Sequence, residues 1–173
     1  MTEPGTDQFR LHVLGTPDLR SPDGRRLSSV LSQPKRLGLL TYLALSPAPV
    51  SRASVLALFW PDSDEGRARN ALSQAVFHLR RSIAEDVVQG AEGARLWAPP
   101  EHLWCDAREL LTPDEPAAEL IEAAARGFLE GWNADESRPL QEWLDTQRRF
   151  GSWQRRGAAR SGPRGPLTQS FAL

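Results

Sequence analysis

Cysteine is almost missing from this chain. Cys105 is the only one in 173 residues, which excludes an internal disulfide and any cysteine-cluster zinc site. Long apolar runs are missing as well. The longest, Leu37 to Leu45, covers nine residues and includes Thr41 and Tyr42, far short of the roughly 20 that a membrane-crossing helix needs. The start, Met1-Thr2-Glu3-Pro4-Gly5, has no basic residue and no apolar stretch, which predicts no secretory signal. Lysine is reduced to Lys35; the other 20 of the 21 basic residues are arginine, a bias that GC-rich coding explains without any ligand. With 40% hydrophobic and 25% charged residues, the chain reads as globular, cytoplasmic and without a membrane partner.

Catalytic signatures are absent too. There is no G-x-S-x-G, no H-E-x-x-H and no phosphate-cradling glycine loop. Asp62, Asp64 and Glu65 could imitate a metal cluster, but their place ahead of an apolar-periodic segment favours helix capping. Cys105, between Trp104 and Asp106, reads as a small buried hydrophobe, and His12 and His102 have no ligand partners at recognisable spacing. An enzyme is not expected, and no cofactor or metal is called for.

The net charge of -1 hides a strong asymmetry. Residues 1–108 hold 13 basic and 12 acidic side chains, residues 109–150 hold 4 and 10, and residues 151–173 hold 4 arginines and no acid. Inside the first piece, Gly66 to Ala84 carries Arg67, Arg69, Arg80 and Arg81 with no carboxylate.

The pattern along the chain predicts an α+β fold. Phe9 to Leu14 alternates as a strand ending at Gly15; Asp18 to Arg20 and Arg25 to Leu31 follow, around the turn Ser21-Pro22-Asp23-Gly24. These read as a small antiparallel sheet. Pro34 opens a helix through Leu45, Ser51 caps a second through Phe59, and the acids at 62–65 open a third that runs to Ala84. Three short strands come next, Val87 to Gln89, Ala94 to Ala98 and His102 to Cys105, the first two joined as a hairpin by Gly90-Ala91-Glu92-Gly93. Asp106 caps a short helix through Leu111, and Pro113 and Pro116 mark a boundary. Ala117 to Phe128 and Pro139 to Arg155 are helical by composition; the Gly/Pro/Ser-rich remainder is not.

The third helix carries the functional signal. On a wheel centred on Leu72, the residues Ala68, Ala75, Val76, Leu79 and Ile83 form a core stripe within about 60°. The opposite side carries Arg67, Asn70, Gln74, Phe77, His78 and Arg81, flanked by Arg69, Ser73 and Arg80. Arg, Asn and Gln are the side chains that pair bidentately with base edges, Arg with guanine and Asn or Gln with adenine. On the wheel alone this strip also fits a solvated polar face. The lack of acids, which phosphate would repel, and the outward Phe77 favour DNA. A short helix before it and a hairpin after it match a winged helix-turn-helix, whose recognition helix enters the major groove.

Several strings resemble the SARP-type (antibiotic regulatory protein) transcriptional regulators, whose DNA-binding domain is an OmpR/PhoB-type winged helix. They are FRLHVLGTPDLRSPDGRRL, QPKRLGLLTYLAL, VSRASVLALFWPDSDEGRARNALSQAVFHLRRSI and LWCDARELL, together covering most of residues 9–112. Downstream, AAARGFLEGW and LQEWLDTQRRF are similar to the start of the TPR-like bacterial transcriptional activation domain of that family. The resemblance implies the winged helix over 9–112 and a partial activation domain over 113–156; the segment 1–8 reads as flexible, and composition makes 157–173 a disordered tail. The resemblance also implies that the second domain is truncated, which would leave Phe128, Trp132, Trp143, Leu144 and Trp153 exposed unless they fold back or pair with another chain.

By the same resemblance, Arg67, Arg69, Asn70, Gln74, His78 and Arg81 lie closest to bases or their phosphates. Ser51 and Arg52 contact the DNA backbone and Arg95 serves the wing. Lys35 and Arg36 are secondary candidates, Trp60 and Leu72 are core, and Arg25 and Arg26 form a solvated turn. The implied function is sequence-specific binding of double-stranded DNA, as dimers on direct repeats and in contact with RNA polymerase. The alternative is an adaptor or competitor that pairs through its helical segment with a full-length regulator.

Overall fold

A computed structural model describes residues 7–91, 94–112, 116–134 and 137–160, with the backbone alone at Ala91 and over 150–160. It is an α+β fold of two three-stranded sheets and, among the described residues, seven helices. None of these helices is long and apolar enough to cross a membrane.

The first sheet is built on β1 (Phe9–His12), flanked by β2 (Asp18–Arg20) and β6 (Leu103–Cys105). Leu11 sits opposite Leu19 on one side and Cys105 on the other, and all three are fully buried. The β1–β6 pairing is parallel, so the sheet is mixed rather than wholly antiparallel as the local pattern suggests. Parallel partners need a long crossover, and here the crossover is everything between His12 and Leu103.

The segment Arg25 to Leu31 is not a strand. Only Arg26 bridges to Arg20, after which α1 (Ser28–Leu31) forms. Leu27, Val30 and Leu31 are spaced i, i+3, i+4, and this helical period outweighs the weak alternation. Helix α2 (Pro34–Leu45) follows, with Leu37, Gly38, Leu39, Leu40, Thr41, Leu43 and Ala44 all buried. Burial around most of its circumference marks α2 as the central helix, not one with a single apolar stripe.

A two-residue strand, β3 (Val50–Ser51), leads into α3 (Arg52–Phe59), and α4 spans Glu65–Ser82. The hairpin is β4 (Gln89–Ala91) with β5 (Arg95–Trp97), and β3 pairs with the free side of β5. Its first strand begins two residues later than the apolar run predicts, because Val87 and Val88 are drawn fully into the core. The Val88 carbonyl accepts from Arg80 Nε at 2.8 Å.

Helix α5 (Asp106–Leu110) is not capped by Asp106 as the sequence suggests: Cys105 holds the N-cap position without a side-chain bond, and Asp106 is the first helical residue. Asp106, 2% exposed, accepts from Val13 N (2.9 Å), Leu14 N (3.2 Å) and Ala107 N (2.7 Å), so it ties α5 to the end of β1. Arg108 donates to the carbonyls of Ala44, Ala98 and Leu103, closing three segments around one guanidinium.

Helices α6 (Ala118–Ala125) and α7 (Arg138–Arg160) complete the chain. α6 stops three residues before Phe128, where Gly127 turns at φ +111 and its carbonyl accepts from Gly15 N at 2.7 Å. α7 runs through 157–160, which the composition assigns to the tail; Ala158, Ala159 and Arg160 are strong helix formers that carry it past Gly157. The rest of that expected tail, the expected flexible residues 1–6 and the Pro113 boundary mark lie outside the described residues.

Residues 116–134 and 137–149 fold back on the remainder. Trp132 Nε1 donates to the Pro34 carbonyl at 3.0 Å, Leu129 N to Val13 O at 2.7 Å, and Ser137 Oγ to Leu58 O. Arg148 donates to the carbonyls of Phe128, Leu129 and Trp132. Phe128, Leu129, Trp132, Leu140 and Leu144 are consequently buried in one core with α2 and β1. Trp143 packs edge-on against Tyr42 and Phe128; the side chain of Trp153 is not among those described.

Candidate nucleic-acid interface

Helix α4 is positioned by its two ends. At the start, Asp64 Oδ1 accepts from Arg67 N at 3.0 Å, and Glu65 places an acid at the positive end of the helix dipole. At the far end the helix closes at Ser82, two residues short of Ala84, because Ile83 adopts φ -113, ψ -84. Between them Ala68, Leu72, Ala75, Val76 and Leu79 are buried and Ile83 is half-buried. The core stripe read from the wheel is the one observed.

The opposite face is open to solvent. Arg67, Asn70, Gln74, Phe77 and Arg81 are exposed, and His78 at the edge of the strip is half-buried. Two arginines already have partners. Arg67 Nε lies 3.1 Å from Asp64 Oδ2 with its side chain 88% exposed, and Arg69 pairs with Glu65 one turn earlier. Exposed pairs of this kind contribute at most about 1 kcal/mol, so a phosphate can replace the carboxylate at little cost.

The strip splits in two. At 100° per residue, Arg69 and Ser73 fall about 60° and 100° from Leu72 on one flank. There they line an open groove of about 430 Å³ together with Ser51, Arg52, Glu65 and Ala94. Arg67, Asn70, Gln74 and Arg81 point farther out. Arg69 therefore belongs with the start of α3 and the hairpin, not with the outermost residues.

The proposed backbone contacts and the hairpin residue meet through β3. Ser51 pairs with Arg95, and Arg52 N donates to Ala94 O at 3.0 Å, so one strand pairing brings Ser51, Arg52 and Arg95 to the same corner. Ser51 Oγ caps α3, accepting from Ser54 N at 3.1 Å and sharing a bond with Ser54 Oγ at 2.7 Å. Arg52 is half-buried and Arg95 exposed.

The remaining candidates sort differently. Lys35 Nζ lies 5.6 Å from the Trp60 ring centre and borders a cavity of about 360 Å³ lined also by Trp132, Asn133 and Ser137. Arg36 is half-buried, as is Trp60, which packs against the core that includes Leu72. Arg26 pairs with Asp18 at 2.9 Å, while Arg25 is exposed in the turn. His12 Nδ1 sits 3.6 Å from Asp106, and His102 Nδ1 3.1 Å from Asp86. Burial, reinforced by the Asp106 carboxylate, pushes the Cys105 thiol up to about 12, so it stays protonated and is a poor nucleophile.

Sequence reasoning missed three things here. Arg80, read as a flank of the strip, is turned inward to Val88 O. The two-residue β3 that joins α3 to the hairpin is hidden between Pro49 and the helix cap. Ala94, at φ +59, lines the groove through its backbone position, which no side-chain pattern reports.

Comparison with known proteins places the fold beside a solved structure. The chain is similar to Mycobacterium tuberculosis EmbR in complex with a low affinity phosphopeptide, with a TM-score of 0.59 and 17% sequence identity over 85% of this chain. It spans 43% of the length of that EmbR chain. No protein-family model and no curated protein matches the sequence. The likeness at this identity is one of fold, and the chain shares with EmbR an α+β arrangement of small sheets and helices.

Proposed function

We propose that the protein is a sequence-specific regulator of transcription that binds double-stranded DNA, with α4 as the recognition helix of a winged helix-turn-helix over residues 9–112. The observation that carries this reading is the solvent-open, acid-free strip of Arg67, Asn70, Gln74 and Arg81, with half-buried His78 at its edge, on one regular 18-residue helix. Such a helix fits a major groove about 12 Å wide, and its side chains have the donors and acceptors that base edges require. The corner made by Ser51, Arg52, Arg69 and Arg95 would then lie along the phosphates, Arg95 from the wing and Arg52 from the start of α3. Phosphate contacts would position the domain and the outer strip would specify the sequence.

The reading includes no catalytic step and no cofactor. It takes residues 113–156 as a partial TPR-like activation domain, with dimers on direct repeats, contact with RNA polymerase and a cytoplasmic location as its further elements. The adaptor alternative has less support. Its pairing surface would be the apolar face of the C-terminal helices, and Phe128, Leu129, Trp132, Leu140 and Leu144 are already buried within this chain. Among the described residues the large exposed hydrophobics are Phe77 and Leu111, neither of them in 116–149.

Selection of duplexes from a randomised pool by the full chain tests the proposal. A recurrent motif that survives competitor DNA at physiological salt supports it. A pool that stays random after repeated rounds would remove the sequence-specific claim.

A further inference from the structure

We infer that Phe77 is a specificity contact whose phenyl ring meets the C5-methyl group of a thymine in the major groove. This rests on the DNA-binding reading of α4 and names what the helix reads beyond charge and hydrogen bonding.

Phe77 is 56% exposed, whereas Phe59 and Phe128 are 1% and 7% exposed. A lone exposed apolar residue is ordinary on protein surfaces, so exposure by itself decides nothing. Position does. Phe77 lies seven residues after Asn70, three after Gln74 and four before Arg81, spacings that put all four on one face of a regular helix. It is therefore inside the strip whose other members are suited to base edges. Its aromatic neighbour is His78, edge-on at 5.6 Å between ring centres, which belongs to the same strip.

A phenyl ring has no donor or acceptor, so it cannot bind phosphate or pair with the polar edge of a base. The apolar group that a major groove offers is the thymine methyl. Stacking on a base would require that base to leave the duplex, at a cost of a few kcal/mol, and a helix lying in the groove supplies no reason for it. Leu111, the other large exposed hydrophobic among the described residues, lies apart from the strip, at the end of α5 beside Trp97 and Pro100. The helix thus combines polar readers at 70, 74 and 81 with one apolar reader at 77, and the preferred site contains a thymine opposite that ring.

The test uses the full chain and the duplex that it selects from a randomised pool. Each thymine is replaced singly by deoxyuridine, which deletes only the methyl group, and affinity is followed by fluorescence anisotropy. Wild type is compared with Phe77→Ala and Arg81→Ala, both exposed positions whose thermal midpoints should stay unchanged. One thymine is expected at which deoxyuridine weakens wild-type binding about fourfold, the weight of one buried methyl. At that position Phe77→Ala should bind both duplexes equally, and Arg81→Ala should keep the fourfold ratio at lower overall affinity. A wild-type ratio near one at every thymine, or a ratio that Phe77→Ala retains, overturns the inference. If affinity still falls with Arg81→Ala, the DNA-binding reading survives that result. If no duplex is enriched at all, both fail together.

Discussion

Trp132 occupies the space that a side chain on Gly38 would need. A Cβ built at Gly38 would stand 2.7 Å from Trp132 Cζ2 and 3.3 Å from Phe59 Cε1. The indole cannot easily give way, because its Nε1 is bonded to the Pro34 carbonyl and the residue is only 8% exposed. Gly38→Ala should therefore destabilise the protein by about 1–2 kcal/mol in urea unfolding, the overpacking cost exceeding the helix-propensity gain of alanine. A neutral or stabilising outcome would show that the ring is free to move.

The same docking bears on how the chain can be divided. A fragment ending at residue 112 loses the segment that covers Leu14 and Gly38. It should be less stable than the full chain by on the order of 5 kcal/mol, from the large apolar side chains withdrawn, and so unfold at a lower urea midpoint. Equal midpoints would mean that residues 116–149 contribute nothing to the core.

Asp106 is the buried acceptor that joins β1 to α5. Asp106→Ala leaves the amides of Val13, Leu14 and Ala107 without their acceptor. A loss of at least about 3 kcal/mol is expected, since each buried donor left unsatisfied costs roughly 1–3 kcal/mol. Urea unfolding of the variant with a matched Asp86→Ala control, at an exposed position, separates this from a general effect of removing acid.

Much of α3 and α4 is legible in the sequence because local signals agree there: Ser51 and Asp64 cap, Trp60-Pro61 breaks, and the apolar residues recur at i, i+3, i+4. What escapes is non-local. The parallel pairing of β1 with β6 joins residues more than ninety positions apart, and neither strand carries a mark of its partner. β3 is too short to show alternation, yet it sets Ser51 beside Arg95. The inward turn of Arg80 depends on where the Val88 carbonyl falls, and the spacing that exposes Arg81 says nothing of it. The return of Trp132 to Pro34 is invisible for the same reason; the sequence shows only that its apolar surface must be covered.

Cys105 gives a pH-dependent signature. The thiol, ordinarily near 9, is held up to about 12 by burial and then by Asp106. The folded state keeps its proton while the unfolded state releases it, so the stability this group contributes is intact below pH 9 and is lost as pH rises from about 9 toward 12. Iodoacetamide at pH 8 should label Cys105 only at the rate of unfolding, with full labelling in 6 M guanidinium on the order of minutes. Rapid labelling of native protein would show that the site opens.

The central claim is that the outer strip of α4 binds DNA, and the most direct measurement is the salt dependence of that binding. Arg67→Ala and Arg81→Ala remove exposed side chains, so thermal stability should stay within about 0.5 kcal/mol of wild type. Each variant should lower affinity for the selected duplex, and where the arginine also touches a phosphate the slope of log K against log salt should fall by about 1. Unchanged affinity and an unchanged slope in both variants would contradict the account and leave the strip a solvated helix face.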